Sequence, residues 1–265
     1  MDARSLFDPA GNPLPQFIPQ TGGLANAVYT DTSAGTILKL YNKEKYYRAE
    51  LMVASSGFTF MPKHLESGEY ANGWYVLMER VGEAVQLLSF EDVIPLVSSL
   101  AALHSIEPPL GTPVDLSRFD WLHEYRTTIL ELTGRDVSHE LSLLSQEASR
   151  TQSCLVHGDL DITNMRRTPS GFLLIDFDEA GYSLPWLDIG KLYWSGGIPM
   201  ESSLLKKLLD EYENVTGYSI SLELVHRWIF IAGADFWLWR YLHSNTARAN
   251  QAADALREYS LRYGT

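Results

Sequence analysis

The chain has 265 residues, 45% of them apolar, enough for a substantial core in two lobes or one large domain. A formal net charge of −12 with no basic stripe argues against a nucleic-acid partner, and the single cysteine, Cys154, excludes an intrachain disulfide and a Cys-based zinc site. The N-terminus lacks a basic start followed by an apolar run. The most apolar stretch, Trp228–Leu242, is broken by Asp235 and Arg240. Neither a signal peptide nor a membrane span is predicted, and a soluble, cytoplasmic protein is expected.

In chain order, Ala27–Thr30 and Thr36–Tyr41 read as strands separated by the turn-forming run Asp31–Gly35. Lys43–Ser55 reads as a helix, with Tyr47, Leu51 and Ala54 at helical spacing. Gly73–Glu79 returns to strand composition. Beyond Gly82 the character changes. Ser89–His104 places Val93, Leu96, Val97, Leu100 and Leu103 on one helical face, with Ser89 as N-cap and Asp92 in the first turn. Trp121–Leu132 and His139–Arg150 also read as helices. Two short apolar strands follow, Cys154–His157 and Phe172–Ile175, and the tail from Met200 to Tyr263 is mostly helical. The pattern predicts an α+β protein with a β-rich N-terminal lobe over residues 1–82, carrying one helix, and a larger, mainly helical lobe over residues 83–265.

The densest chemistry lies in LVHGDLDITNMRR and GFLLIDFDEAG. Asp159 and Asn164 sit on the loop after the first apolar strand, and Asp176 follows the second. Adjacent strands would bring the three together. Crowded carboxylates repel, and a bound Mg²⁺, which prefers hard oxygen ligands, relieves that repulsion. Asp176 and Asn164 are then candidate metal ligands. Asp159 is the candidate catalytic residue, placed to orient an attacking hydroxyl and accept its proton. His157 is read as fixing the loop, and Asp161 and Asp178 carry no firm role.

HGDLDITN resembles the catalytic loop of aminoglycoside phosphotransferases and of their choline-kinase and homoserine-kinase relatives, His-Gly-Asp, four variable positions, then Asn. IDFD resembles their metal-binding segment. Where many relatives carry His-Pro-Gly before the Asn, this chain has Asp161-Ile162-Thr163. The resemblance implies a protein-kinase-like bilobal fold and an ATP-dependent phosphotransferase with Mg²⁺. It extends to TGGLANAVY, where Gly22, Gly23 and Asn26 match a phosphate-covering run. Lys39 in the strand TILKLY would contact nucleotide phosphates, with Glu50 as its partner and Glu44 as an alternative. GWYVLMERV resembles the hinge between kinase lobes, so backbone groups of Met78, Glu79 and Arg80 would meet adenine. Asp188 in WLDIG matches a family aspartate that braces the catalytic loop.

For the acceptor, late aromatics beside a carboxylate suggest a cation pocket formed by Asp235 and Trp237, with Glu179 also facing it. The implied substrates are a nucleotide and a small hydroxyl compound, aminoglycoside-, choline- or homoserine-like and bearing an amine. A Ser/Thr protein kinase of the same superfamily is the nearest alternative. A two-metal hydrolase leaves the Gly loop and Lys39 without a task, and a pseudokinase should lack at least one of Lys39, Asp159, Asn164 and Asp176, all of which are present. The sequence carries no signal for an oligomeric state.

Overall fold

The computed structural model describes residues 6–20, 26–195, 200–243 and 246–264. The chain begins with β1 (Ile18–Pro19), β2 (Ala27–Asp31), β3 (Thr36–Tyr41), α1 (Glu44–Ser55), β4 (His64–Tyr70), β5 (Gly73–Glu79) and β6 (Glu83–Ala84). It continues through α2 (Val93–His104), α3 (Arg126–Thr133), α4 (Val137–Ala148), β7 (Cys154–Val156), β8 (Met165–Thr168), β9 (Gly171–Leu174) and β10 (Gly181–Ser183). The last part is helical: α5 (Trp186–Tyr193), α6 (Ser202–Thr216), α7 (Leu222–His243) and α8 (Thr246–Tyr263). The fold is α+β and divides into two compact units. One is Met1–Ala84 with Met165–Ala180, and the other is Val85–Asn164 with Gly181–Thr265.

The first unit is built on an antiparallel sheet in the order β1-β2-β3-β5-β4. Strand alternation divides β3 between two faces. Leu38 and Leu40 pack with Leu6, Phe17, Tyr75 and Leu77. The neighbouring positions of the same strand, Lys39 and Tyr41, point to the other face, where Tyr41 packs with Val76 and Met78 and meets Tyr47 and Leu51 of α1. A lysine in an apolar strand is thereby carried into a buried layer beside a helix. The hairpin β8–β9 joins this unit rather than the second. β8 pairs with β6, and the Leu174 N–H donates to the Phe60 carbonyl at 2.8 Å. The segment Met165–Ala180, expected in the larger lobe, therefore packs with the smaller one.

In the second unit β7 pairs antiparallel with β10 among helices. Ser89 and Asp92 form a capping box on the 3-10 turn Phe90–Asp92 that leads into α2, whose Leu96, Val97, Leu100 and Leu103 are fully buried. Gly190 of α5 lies against the Trp228 carbonyl of α7, and a Cβ there would come within 2.9 Å of that oxygen. This absence of a side chain lets the two helices approach closely. No helix among the described residues is long and apolar enough to cross a membrane.

Several local expectations are revised. The stretch read as one helix over Trp121–Leu132 starts as a 3-10 helix, Ser117–Tyr125, and becomes α-helical at Arg126. The strands Cys154–His157 and Phe172–Ile175, expected side by side, take different partners, β10 and β8. The β8–β9 pairing is a local hairpin, whereas β10 returns to β7 only after β8 and β9 intervene.

Candidate active site

In the first unit Lys39 is the centre of a buried ion network. Its Nζ lies 3.3 Å from Glu50 Oε2 and also pairs with the carboxylates of Asp176 and Asp178. Glu50 is fully buried on α1. It accepts from the Tyr41 hydroxyl at 3.1 Å and the Phe177 N–H at 3.2 Å, and His64 Nε2 stands 3.4 Å from its other oxygen. Glu44 instead pairs with Arg48 on the surface. Burial pushes the Glu50 carboxyl up, but Lys39 and then His64 more than offset it and hold it down at about 2. Burial likewise works against the Lys39 ammonium, yet Glu50, Asp176 and Asp178 keep its pKa well above the usual lysine range. Both members of the pair are therefore charged at neutral pH.

Asp176 and Asp178 flank Phe177, whose buried ring meets Phe58 edge-on at 5.9 Å. The Phe177 anchor fixes the turn, and Asp176 adopts φ +67°, the one left-handed non-glycine among the described residues. Asp tolerates that region better than most residues. The Asp176 side chain remains 45% exposed and so can be reached by a ligand. Asp178 is more enclosed and also accepts from the Asn26 amide. Burial, opposed by Lys39 and reinforced by Asp176, pushes its carboxyl up to about 7. Among the described residues no group of three or more His, Cys, Asp or Glu side chains could hold a metal by itself. A donor set of few carboxylates suits Mg²⁺, which is commonly bound through one or two of them together with substrate phosphates and water. The N–H groups of Glu79 and Arg80, expected to face adenine, donate instead to the carbonyls of Lys63 and Gly35, and Met78 is buried on β5. Gly22 and Gly23 lie outside the described residues.

In the second unit β7 delivers His157, Gly158 and Asp159. The fully buried carboxylate of Asp188, on α5, accepts the N–H groups of His157 and Gly158, each at 2.8 Å, and faces His104 Nε2 at 3.0 Å. Burial raises the Asp188 pKa, but the His104 hydrogen bond and the His157 contacts dominate and leave it lowered. His104 Nδ1 lies 2.8 Å from the Tyr212 hydroxyl, so the ring is held between Tyr212 and Asp188. The start of the loop is thus clamped to two helices, while the Asp159 side chain stays 57% exposed. Asn164 closes the 3-10 turn Ile162–Asn164, and its side-chain amide donates to the Asp159 carbonyl at 3.0 Å. That bond turns its amide oxygen, the atom a hard cation takes, away from that carbonyl.

The acceptor residues fare differently. Asp235 on α7 is already paired: Lys191 of α5 donates to one carboxylate oxygen at 2.6 Å, and Trp121 Nε1 donates to the other at 2.9 Å. Trp237 is buried and stacks on Tyr241 at 5.5 Å. Glu179 belongs to the first unit, so no cation pocket of these three residues forms within either unit. Lys191, His104, Tyr212 and Trp121 were not anticipated. The one available signal was that Lys191 follows Asp188 by three positions, which puts both on one helical face.

The profile of the phosphotransferase enzyme family (APH) matches residues 18–223, most of the chain, and the protein belongs to this family. Its fold is that of solved relatives. A thermostable mutant of aminoglycoside phosphotransferase APH(4)-Ia, in its apo form, superposes with a TM-score of 0.65 at 14% identity over 94% of this chain and 95% of that one. The same enzyme in a ternary complex with ADP and hygromycin B gives 0.62 at 15% identity, covering 94% of each chain. A choline/ethanolamine kinase family protein from Mesorhizobium loti gives 0.64 at 16% identity, over 98% of this chain and 96% of that one. At these identities the likeness is one of fold. No curated relative has a significantly similar sequence.

Proposed function

We propose that this protein is an ATP-dependent kinase that moves the γ-phosphate to a hydroxyl of a small molecule. The observation that carries the reading is Lys39. A buried ammonium is held by Glu50 on one side and turned toward Asp176 and Asp178 on the other. Such a group is suited to nucleotide phosphates, whose charge can replace the carboxylates around it. The family assignment supports phosphoryl transfer, and the similarly folded enzyme that holds ADP and hygromycin B supports a nucleotide and a small acceptor.

In this reading Asp159 orients the acceptor hydroxyl and takes its proton as the oxygen attacks the γ-phosphorus, while the bond to the bridging oxygen breaks and ADP leaves. Asp188 acts only through the loop, by holding the amides of His157 and Gly158. Asp176 and Asn164 each offer a hard oxygen to Mg²⁺, which when bound offsets the negative charge of the phosphates. Asn26, held by Asp178, borders the phosphates, and the backbone near Met78–Arg80 borders the adenine. The protein acts without nucleic acid or membrane.

The test is ATP turnover against a panel of hydroxylated compounds, with Asp159→Asn as the control. The variant should bind nucleotide as the wild type does and lose transfer by roughly 10²–10⁴-fold, the usual contribution of a general base. Undiminished transfer by the variant would overturn the mechanism.

A further inference from the structure

Lys191 is not a conventional surface lysine. Its side chain is only 13% exposed, and its partner Asp235 only 15%. Both oxygens of Asp235 are taken, one by Lys191 and one by Trp121. The ammonium therefore cannot swing away without leaving an enclosed carboxylate unpaired, which is costly. On its other side Lys191 Nζ stands 3.9 Å from Asp159 Oδ1. That separation is too long for a hydrogen bond, but an acceptor oxygen could touch both groups across it. The same helix face bears Asp188, so α5 both braces the loop and sets a fixed positive charge beside the proposed base.

We infer that Lys191 is a specificity-determining residue that selects acceptors bearing a neutral or anionic oxygen next to the reacting hydroxyl, and disfavours those bearing an ammonium there. This rests on the kinase reading above. A hydroxyl within hydrogen-bond reach of Asp159 brings its neighbouring substituent close to the Lys191 ammonium. A second hydroxyl, an ether or a carboxylate accepts from the N–H donors that Lys191 has beyond the one given to Asp235. An ammonium at the same place meets like charge, and Asp235, the carboxylate that could have received it, is already neutralised. The acceptors that fit are polyols and hydroxy acids rather than amino alcohols.

The experiment compares matched vicinal acceptors, a diol, a hydroxy acid and an amino alcohol, in the wild type, Lys191→Met, Lys191→Arg and Asp235→Asn. For each, kcat and KM are measured for the acceptor, together with KM for ATP. The wild type should favour the oxygen-bearing acceptors by about tenfold or more in kcat/KM, as like-charge juxtaposition implies. Lys191→Met, which also frees the Asp235 carboxylate, should bring that ratio to one or below with KM for ATP unchanged, and Lys191→Arg should retain it. Asp235→Asn, which leaves the Lys191 charge uncompensated, should widen it. Asp235→Asn and Lys191→Arg carry the test if Lys191→Met fails to fold, as judged by its melting curve. A wild type that prefers the amino alcohol, or a ratio that Lys191→Met and Asp235→Asn leave unchanged, overturns the inference while transfer itself persists. Absence of transfer from the wild type to every acceptor overturns the kinase reading, and this inference with it.

Discussion

Replacing Asp188 with Asn keeps the shape of the side chain and removes one acceptor oxygen and the charge. In the best orientation the amide nitrogen replaces the oxygen that holds the Gly158 N–H, so two donors face each other and that N–H is left buried without a partner. The His157 and His104 contacts survive as weaker, neutral hydrogen bonds. Leaving a buried donor unsatisfied costs roughly 1–3 kcal/mol, and the lost charge assistance adds to it, so the total is about 3 kcal/mol. In domains of this size each kcal/mol moves the melting temperature by about 2–4 °C, which gives a fall of about 6–12 °C. Thermal unfolding followed by circular dichroism at pH 7 measures it. The sign of the pH dependence is fixed as well. Asp188 has a lowered pKa in the fold, so its contribution is present above the ordinary value of 3.8 and is lost as the carboxyl protonates below it. The gap between wild type and variant should therefore narrow in acid. A melting temperature within about 2 °C of wild type at pH 7 would refute the assignment of Asp188 as the brace of the loop.

Two further outcomes are expected. A Cβ at Gly233 would lie 2.6 Å from the Trp194 ring, which is buried and pinned by its Nε1 hydrogen bond to the Ile229 carbonyl at 2.7 Å. Gly233→Ala should thus destabilise by about 1–3 kcal/mol, read as a lower urea midpoint with an unchanged slope; an unaltered midpoint would mean that the ring can yield. Glu50→Gln removes a carboxylate whose pKa falls from 4.5 to about 2 in the fold. At 1.36 kcal/mol per tenfold change in acidity, this is worth about 3 kcal/mol, present above pH 4.5 and lost as the pH falls through about 2. Chemical unfolding at pH 7 and pH 3 should show the wild-type advantage shrinking in acid, and a constant difference would refute it.

The buried lysine was legible because a single residue broke an apolar strand. Strand alternation then left only two faces for it, and the helix that follows placed Glu50 on one of them. The order of acids from His157 to Asp178 was legible for a similar reason, since polar residues at the ends of short apolar strands have few places to go. β4 was not, because HLESGEY has no apolar alternation and each inward position is only half-buried. β10 has three residues, too few for any period. Asp235 was misjudged for a different reason. Its partners Trp121 and Lys191 are distant in the sequence, and the pairing is set by how α5, α7 and the 3-10 segment pack, which no local spacing encodes. The hinge amides were likewise engaged by carbonyls of Gly35 and Lys63 that a linear reading does not bring near.

The first unit is assembled from two stretches of chain separated by eighty residues that belong to the second. During synthesis its sheet and α1 emerge early, but Lys39 and Glu50 wait for Asp176, Phe177 and Asp178. Until those residues leave the ribosome, Lys39 lacks two of its three carboxylates, Glu50 lacks the Phe177 N–H, and β6 has no β8 to pair with. The nascent N-terminal segment is therefore unable to finish folding alone, and the chain between the two stretches must be made before either unit is complete. A translational pause before Met165–Ala180 has left the ribosome would hold β6 without its partner strand and Lys39 without two of its carboxylates, whereas one after that segment has emerged would not.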